Sequence, residues 1–218
     1  MKLFLYEVRR KWWLFFLFVI PVIAFKRNMT YLSSYVYTAE SDVSFILALY
    51  MGRLLTRGDE LELIKGTGTG VKRVFYTRAA TGYLYAVLAA VFSAVIFGLR
   101  NGITLHDMLI CVVSFICSSV TISAMAILIR VLINNAYVSH IFIAVFMYFM
   151  MGKRFAFLLR RLPKEYMLVD LFITSTNFAG TLWWLNRLIY FLTGLLLLLV
   201  GALLFNKCFA RKEHLHAD

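Results

Sequence analysis

The sequence predicts an all-α, polytopic membrane protein with six transmembrane helices, an N-terminal interfacial helix and an outer re-entrant helical segment before the last span. Of the 218 residues, 62% are hydrophobic and 16% are charged, whereas soluble domains are roughly 45–50% apolar and about 25% charged. Four runs of 19 to 22 residues contain no Asp, Glu, Lys or Arg, and a helix needs about 20 apolar residues to cross the hydrocarbon layer. We therefore expect a single transmembrane domain over residues 1–218.

The net charge of +12 also indicates the surroundings of the chain. In a polar chain such an excess of Lys and Arg would suggest nucleic-acid binding. Here the basic residues flank apolar runs, where they match anionic lipid head groups and the cytoplasmic side of membrane proteins. The lipid bilayer is the expected partner and nucleic acid is not. Cys111, Cys117 and Cys208 show no paired spacing, so no disulfide framework is predicted.

The first segment, residues 1–11, is predicted to be an amphipathic helix that lies along the cytoplasmic interface. Its apolar residues recur at helical spacing and its basic residues take other faces. The apolar set is Met1, Phe4, Leu5, Val8 and Trp12, and the basic set is Lys2, Arg9 and Arg10. No small-residue cleavage pattern follows the next apolar run, so we expect this segment to be retained rather than removed as a signal peptide.

The six spans are read from the runs that lack charged residues. The first two runs are shorter than a full crossing and need basic side chains that extend along the helix toward the head groups. The second span is the least well bounded, and its start lies anywhere from residue 33 to residue 42. The predicted spans cover residues 12–25, 43–52, 79–99, 108–129, 131–152 and 188–206.

An even number of spans places both termini on one side of the membrane, and the distribution of Lys and Arg indicates which side. Segments 1–11, 53–78 and 207–218, together with Arg130, carry more basic residues than the segments on the opposite side. Basic residues accumulate in cytoplasmic loops. We therefore expect a multi-pass protein of the cell membrane with both termini cytoplasmic, including a cytoplasmic tail at 207–218.

The predicted cytoplasmic segment between the second and third spans contains a short charged helix followed by glycines. Asp59, Glu60 and Glu62 can open or line a helix that runs to about Lys65. A glycine-rich stretch that begins at Gly66 then breaks it. Such a helix is either a docking element for another protein or an ordinary solvated loop. The glycines fit neither the P-loop nor the Rossmann spacing, so no nucleotide site is expected on this chain.

Two further segments connect the later spans. Only Arg130 interrupts the apolar stretch of the fourth and fifth spans, which predicts a tight turn near Arg130, Val131, Asn134 and Asn135 and a second, smaller cytoplasmic contact point. Segment 153–186 is too charged to span and too apolar for a free loop. We expect one or two short helices there, at the outer interface and broken at Pro163, which can dip into the leaflet if the protein buries their backbone.

No catalytic, cofactor or metal site is predicted. His214, His216 and Cys208 are close in sequence but lack a fourth ligand at standard spacing. His140, in the fifth span, is either a functional polar group or a hydrogen-bonding contact between helices, and the second interpretation is favoured. The sequence contains no HExxH, no paired intramembrane carboxylates within a span and no Gly-x-Ser-x-Gly motif.

In its order of parts, the chain resembles the membrane-spanning permease subunit of type-2 ABC exporters. The resemblance rests on the amphipathic N-terminal helix, the acidic loop RGDELELIKGTGTGVKR, the tight turn after the fourth span, the outer helical segment and the closing helix LLLLLVGALLFNKCFARKE. It covers most of the chain as an architecture, and no single motif is specific to the family.

The resemblance implies a half-transporter that pairs with a second copy or a similar permease subunit and binds a separate ABC ATPase subunit. ATP and Mg²⁺ are then bound on that partner, and this chain is not itself an enzyme. The implied ATPase-coupling residues are Asp59, Glu60, Glu62, Lys65, Gly66 and Arg130, to which Arg9 and Arg10 are added.

The spans offer mostly aromatic and aliphatic side chains, which suit a hydrophobic or amphipathic substrate. A toxin-like or antimicrobial peptide is the first expectation, and a lipid-linked or drug-like molecule is the rival. Two other classes stay open. A membrane immunity or regulatory protein would work without nucleotide, and an intramembrane enzyme would have to use His140, Asn134 or His106.

Overall fold

The computed structural model describes residues 2–24, 32–54, 70–133, 135–151 and 180–213, and the regular structure in these ranges is helical throughout. The predicted all-α class is therefore confirmed for this part of the chain. The helices are α1 (Lys2–Arg10), α2 (Trp13–Ala24), α3 (Leu32–Thr38), the π-helical turn π1 (Ala39–Val43), α4 (Ser44–Gly52), α5 (Val71–Asn101), α6 (Leu105–Ile133), α7 (Ala136–Met151) and α8 (Thr181–Glu213).

Within the described ranges, three helices are long and apolar enough to cross a membrane, namely α5, α6 and residues Thr181–Phe205 of α8. They coincide with the predicted third, fourth and sixth spans. The apolar helices Trp13–Val22 and Tyr137–Phe149 are shorter, and α3, π1 and α4 follow one another without a break from Leu32 to Gly52. By length and composition these helices indicate a membrane protein, while the count of six spans stays a prediction.

The long helices begin earlier than the charge-free runs predict. α5 begins at Val71, so the last part of the predicted cytoplasmic segment 53–78 is helical. α8 begins at Thr181, so residues 181–186 of the predicted outer segment belong to the closing helix. Residues 153–179 of that outer segment, and the tail after residue 213, lie outside the described residues.

Charged residues that find partners inside the protein explain these differences. Arg78 pairs with Glu7 and Arg187 pairs with Glu40. A charge that is paired inside the bundle does not end a helix, because its side chain does not need to reach water. Runs that lack charge therefore underestimate the length of α5 and α8.

The helices pack around α6, and neighbouring contacts show their directions. α5 and α6 are antiparallel, since Gly98 lies against Met108 near the turn between them and Tyr83 Oη donates to the carbonyl of Ile116 farther along, at 3.1 Å. α8 runs parallel to α6. Arg187 contacts Ser114, and Gly194 lies against Thr121.

Both described ends of the chain lie at one end of the bundle, which we call the Glu7 end. Glu7 of α1 pairs with Arg78 near the start of α5. In the later part of α8, the carbonyl of Ala202 accepts a hydrogen bond of 2.7 Å from Lys72 Nζ of α5. The first and last helices therefore meet the same region of α5.

Two turns have clear local causes. Gly102 ends α5 with φ +63°, a left-handed conformation that glycine adopts without strain, and the N–H of Ile103 donates to the carbonyl of Gly98. Asn135 begins α7, because its Oδ1 accepts the N–H groups of Tyr137 and Val138 at 3.0 and 3.2 Å. α6 continues past Arg130 to Ile133 and α7 begins at Ala136, so the helices part after Arg130 rather than around it.

Candidate functional site

Among the residues that the structure describes, the most deeply buried charged groups form an ion pair between π1 and α8. Glu40 of π1 and Arg187 of α8 are both 0% exposed. Arg187 Nη2 lies 2.6 Å from Glu40 Oε2. Arg187 stands six residues after the start of α8, about 9 Å along its axis, within a helix long enough to span. An ionisable residue at such a position is a functional candidate by default.

Two serines of α6 form hydrogen bonds with the ion pair. Ser114 Oγ donates to Glu40 Oε1, and Arg187 Nε donates to Ser114 Oγ at 3.0 Å. Ser118 Oγ lies 3.1 Å from the same carboxylate oxygen. The two serines are four residues apart and therefore share one face of α6. The result is a closed network that joins π1, α6 and α8.

The rest of the guanidinium also has partners. Its Nη1 donates to Asn186 Oδ1 at 2.5 Å, and its central carbon lies 5.0 Å from the ring centre of Trp183. Arg187 is thus held on all sides within the protein. A buried charge that loses its partner is very costly. We name Glu40, Ser114, Ser118 and Arg187 the central cluster.

A second group of charges lies at the Glu7 end. Glu7 is 2% exposed, and its carboxylate accepts from Arg78 Nε at 3.2 Å and pairs with Lys11 at 3.4 Å. Lys11 Nζ also donates to Tyr50 Oη at 3.0 Å. Tyr85 Oη donates to the carbonyl of Val8 at 2.6 Å. We name Glu7, Lys11, Tyr50 and Arg78 the base cluster.

The base cluster connects three parts of the chain. It joins α1 to α5 through Glu7 and to α4 through Tyr50, whose Oη also donates to the carbonyl of Arg78 at 3.3 Å. Arg78 Nη1 reaches the carbonyl of Leu54 at 3.4 Å. Leu54 is the last described residue before the segment that holds the predicted coupling residues. α1 is therefore connected, through Glu7 and Arg78, to Leu54 directly before that segment.

The structure describes one of the six predicted coupling residues. Asp59, Glu60, Glu62, Lys65 and Gly66 lie outside the described residues. Arg130 lies inside α6, one turn before its end, and is 3% exposed. A partner could touch the end of α6, but this guanidinium is covered by the chain itself in this conformation.

The histidines and cysteines form no metal site in the part of the chain that the structure describes. His140 Nε2 lies 3.0 Å from the carbonyl of Leu49, which joins α7 to α4. This is the interhelical hydrogen bond that the sequence analysis favoured. His106 is exposed near the start of α6. His214, His216 and the side chain of Cys208 lie outside the described set.

Sequence reasoning missed both clusters. Glu40 lies at the loosely bounded start of the predicted second span, and Arg187 lies between the predicted outer segment 153–186 and the predicted last span 188–206. Two signals could have pointed to them. The immediate neighbours of Glu40 are the small residues Ala39 and Ser41, and Ser114 and Ser118 repeat at helical spacing within a predicted span.

Comparison of the chain with known protein families, with characterised proteins and with solved structures finds no significant match.

Proposed function

We propose that the chain is the permease subunit of an ATP-driven exporter of the type-2 ABC class. In this proposal it forms the translocation pathway with a second copy or a similar permease subunit. A separate ABC ATPase binds beneath it, at the segment that holds Asp59, Glu60 and Glu62. ATP and Mg²⁺ are bound and used on that partner.

The observation that carries the proposal is the base cluster. A permease driven by a separate ATPase needs a stiff connection between the docked segment and its spans. Arg78 contacts both Leu54, at the root of that segment, and Glu7 of α1. Movement of the docked segment would therefore act on α1, α4 and α5 together rather than on a free loop.

The mechanism follows from this connection. Closure of the ATPase partners on ATP pulls the docked segments, and the base cluster passes the movement to α5, a rigid helix that crosses the bundle. The spans then tilt between inward-open and outward-open arrangements. This is a bistable element that a ligand biases. The chain itself supplies no catalytic group in this scheme.

The substrate is proposed to be hydrophobic or amphipathic, and a toxin-like or antimicrobial peptide is the first candidate. The support is compositional: large apolar side chains dominate the surfaces of α7 and α8. Examples of exposed residues are Tyr137, Ile141, Tyr148, Leu192 and Leu199. A lipid-linked or drug-like molecule has the same chemistry, and competition between a labelled peptide and each rival in a transport assay distinguishes them.

The test replaces the acidic docking residues. We expect the Glu60→Ala, Glu62→Ala double variant to insert in the membrane at normal levels. The amount of co-purified ATPase and the rate of peptide export should each fall at least tenfold. Removal of two charges takes away attractions to the partner and changes no residue that the structure describes. Glu213→Ala is the matched control, because it removes an acidic residue at the end of α8 on the same predicted side.

Unchanged co-purification and unchanged export in the double variant would refute the docking role. Two other outcomes identify the rival classes. Binding of a toxin without any nucleotide requirement would indicate an immunity or regulatory protein. Chemical turnover that is lost on replacement of His140, with no ATPase present, would indicate an intramembrane enzyme.

A further inference from the structure

We propose that π1 is a two-state turn: the Glu40–Arg187 ion pair holds residues 39–43 in the π form, and loss of the pair converts them to α-helix and rotates α3. This device involves only helices of this chain, and it does not depend on whether an ATPase binds.

The geometry of a π turn makes such a change discrete. A π-helix closes i to i+5 hydrogen bonds, whereas an α-helix closes i to i+4. A π turn is therefore an α-helix with one extra residue in a turn. Because each residue of an α-helix turns the chain by about 100°, conversion of π1 to α rotates the helix before it by about that angle relative to the helix after it.

The acidic partner of the ion pair, Glu40, belongs to the turn that would convert. Glu40 is the second residue of π1, and both of its carboxylate oxygens are used, by Arg187 and by the serines of α6. With α4 held in place, conversion carries Glu40 round with α3 and away from Arg187. The ion pair and the α form therefore exclude one another. Separation of a buried ion pair leaves uncompensated charges and is strongly destabilising, so the pair opposes conversion out of the π form.

A buried hydroxyl favours the opposite form. Ser44, the residue after π1, is 0% exposed, and its Oγ has no hydrogen-bond partner. In an α-helix a serine hydroxyl can donate to the carbonyl four residues earlier, which here belongs to Glu40. The α form would satisfy this hydroxyl. The two forms thus satisfy different polar groups: the carboxylate of Glu40 in one and the hydroxyl of Ser44 in the other.

α4 is hydrogen-bonded to three other parts of the chain, so we take α4 as the fixed part and α3 as the part that turns. Tyr50 of α4 belongs to the base cluster, and Leu49 holds His140 of α7. In α3, Tyr35 Oη donates to the carbonyl of Ala90 at 3.0 Å, and the Tyr35 ring stacks on Phe97 with centres 4.8 Å apart. Rotation by about 100° removes both contacts.

The stacked ring of Tyr35 gives a direct readout. The full chain is labelled with 3-fluorotyrosine in detergent micelles, and the ¹⁹F resonance of Tyr35 is assigned with Tyr35→Phe. Phe97→Leu gives the position that the resonance takes without the stacked ring. In the Glu40→Gln, Arg187→Met double variant, which leaves no unpaired charge, we expect the resonance to move toward that position. Glu7→Gln, which breaks a buried pair elsewhere, should leave it unmoved.

Addition of Ser44→Ala to the double variant removes the group that favours the α form, and it should return the resonance toward its wild-type position. The proposal is wrong if the double variant leaves the resonance in place, if Glu7→Gln moves it equally, or if Ser44→Ala fails to restore it.

A deletion gives an independent test that does not require the double variant to fold. Removal of Asp42 takes the extra residue out of π1 and leaves α3 and α4 in their present registers. We expect this deletion to keep the wild-type Tyr35 resonance. Deletion of Ala86 from α5, an uninterrupted α-helix, shifts the partners of Tyr35 by one residue and should move the resonance away from its wild-type position. Equal movement of the resonance in the two deletions would overturn the proposal.

Discussion

The side chains that bear charge inside the bundle set its energetics at the scale of single residues. Glu40 and Arg187 are fully buried, yet the carboxylate oxygens of Glu40 and the guanidinium nitrogens of Arg187 all have partners. A buried pair adds little net stability compared with apolar residues of the same size, but removal of one partner leaves an uncompensated charge. Single and double replacements should therefore differ sharply.

We predict that Arg187→Met alone lowers the free energy of unfolding by roughly 3–5 kcal/mol, because it leaves the Glu40 carboxylate buried and unpaired. The Glu40→Gln, Arg187→Met double variant should recover most of that loss. Reversible denaturation in mixed micelles, followed by circular dichroism, measures both. Arg100→Met, at the exposed end of α5, is the control. A double variant as unstable as the single one would contradict this account of the pair.

Partners that are distant in sequence explain why this site could not be predicted. Glu40 and Arg187 are 147 positions apart, and no local pattern indicates which basic residue a buried carboxylate will meet. The same is true of Glu7 and Arg78, 71 positions apart. His140 differs, because a lone polar residue in an apolar run has few roles, and an interhelical hydrogen bond was the more frequent one.

The contact between α6 and α8 shows how one element fixes the position of another. Gly194 of α8 lies against Thr121, and a Cβ added there would stand 2.7 Å from Val120 Cγ1 and 2.8 Å from the backbone nitrogen of Thr121. Thr121 Oγ1 also donates to the carbonyl of Tyr190. Small residues that let backbones approach are the usual basis of helix packing in membranes. A shift of α8 by one turn would place a larger residue at this contact, so the register of the pair is fixed.

We predict that Gly194→Ala destabilises the protein by roughly 1–3 kcal/mol, because the backbone of α6 cannot give way as a side chain can. Gly201→Ala, seven residues later on α8, meets nothing closer than 3.8 Å. Gly201→Ala should leave the free energy of unfolding unchanged or raise it by up to about 1 kcal/mol, because alanine has a higher helix propensity than glycine. The same unfolding measurement compares the two variants, and equal effects would show that Gly194 does not set this contact.

Element boundaries were predictable where the local chemistry decides them. The start of α7 follows from Asn135, a good N-cap, and the turn at Gly102 from a residue that tolerates positive φ. The starts of α5 and α8 were not predictable, because Arg78 and Arg187 looked like boundary residues until their partners were known. π1 has no sequence signal that we can identify.

At the scale of the whole molecule, the helical class and the three long apolar helices of the described ranges follow from composition and run length alone, because few other structures can satisfy so much apolar chain. The arrangement of these helices around α6 does not follow from the sequence. It depends on interhelical contacts such as Gly98 against Met108 and Gly194 against Thr121. The assignment to an exporter rests on the order of parts together with the base cluster, and it stays a proposal.

The central claim is that this chain moves cargo only when a separate ATPase acts on it from the Glu7 end. The most direct measurement is ATP hydrolysis and peptide transport by the chain purified from the membranes in which it is naturally made and reconstituted in liposomes. We predict that a second polypeptide co-purifies, that it holds all of the ATPase activity, and that its removal abolishes transport. Transport by the isolated chain without ATP, or the absence of any ATP-hydrolysing partner, would contradict the account.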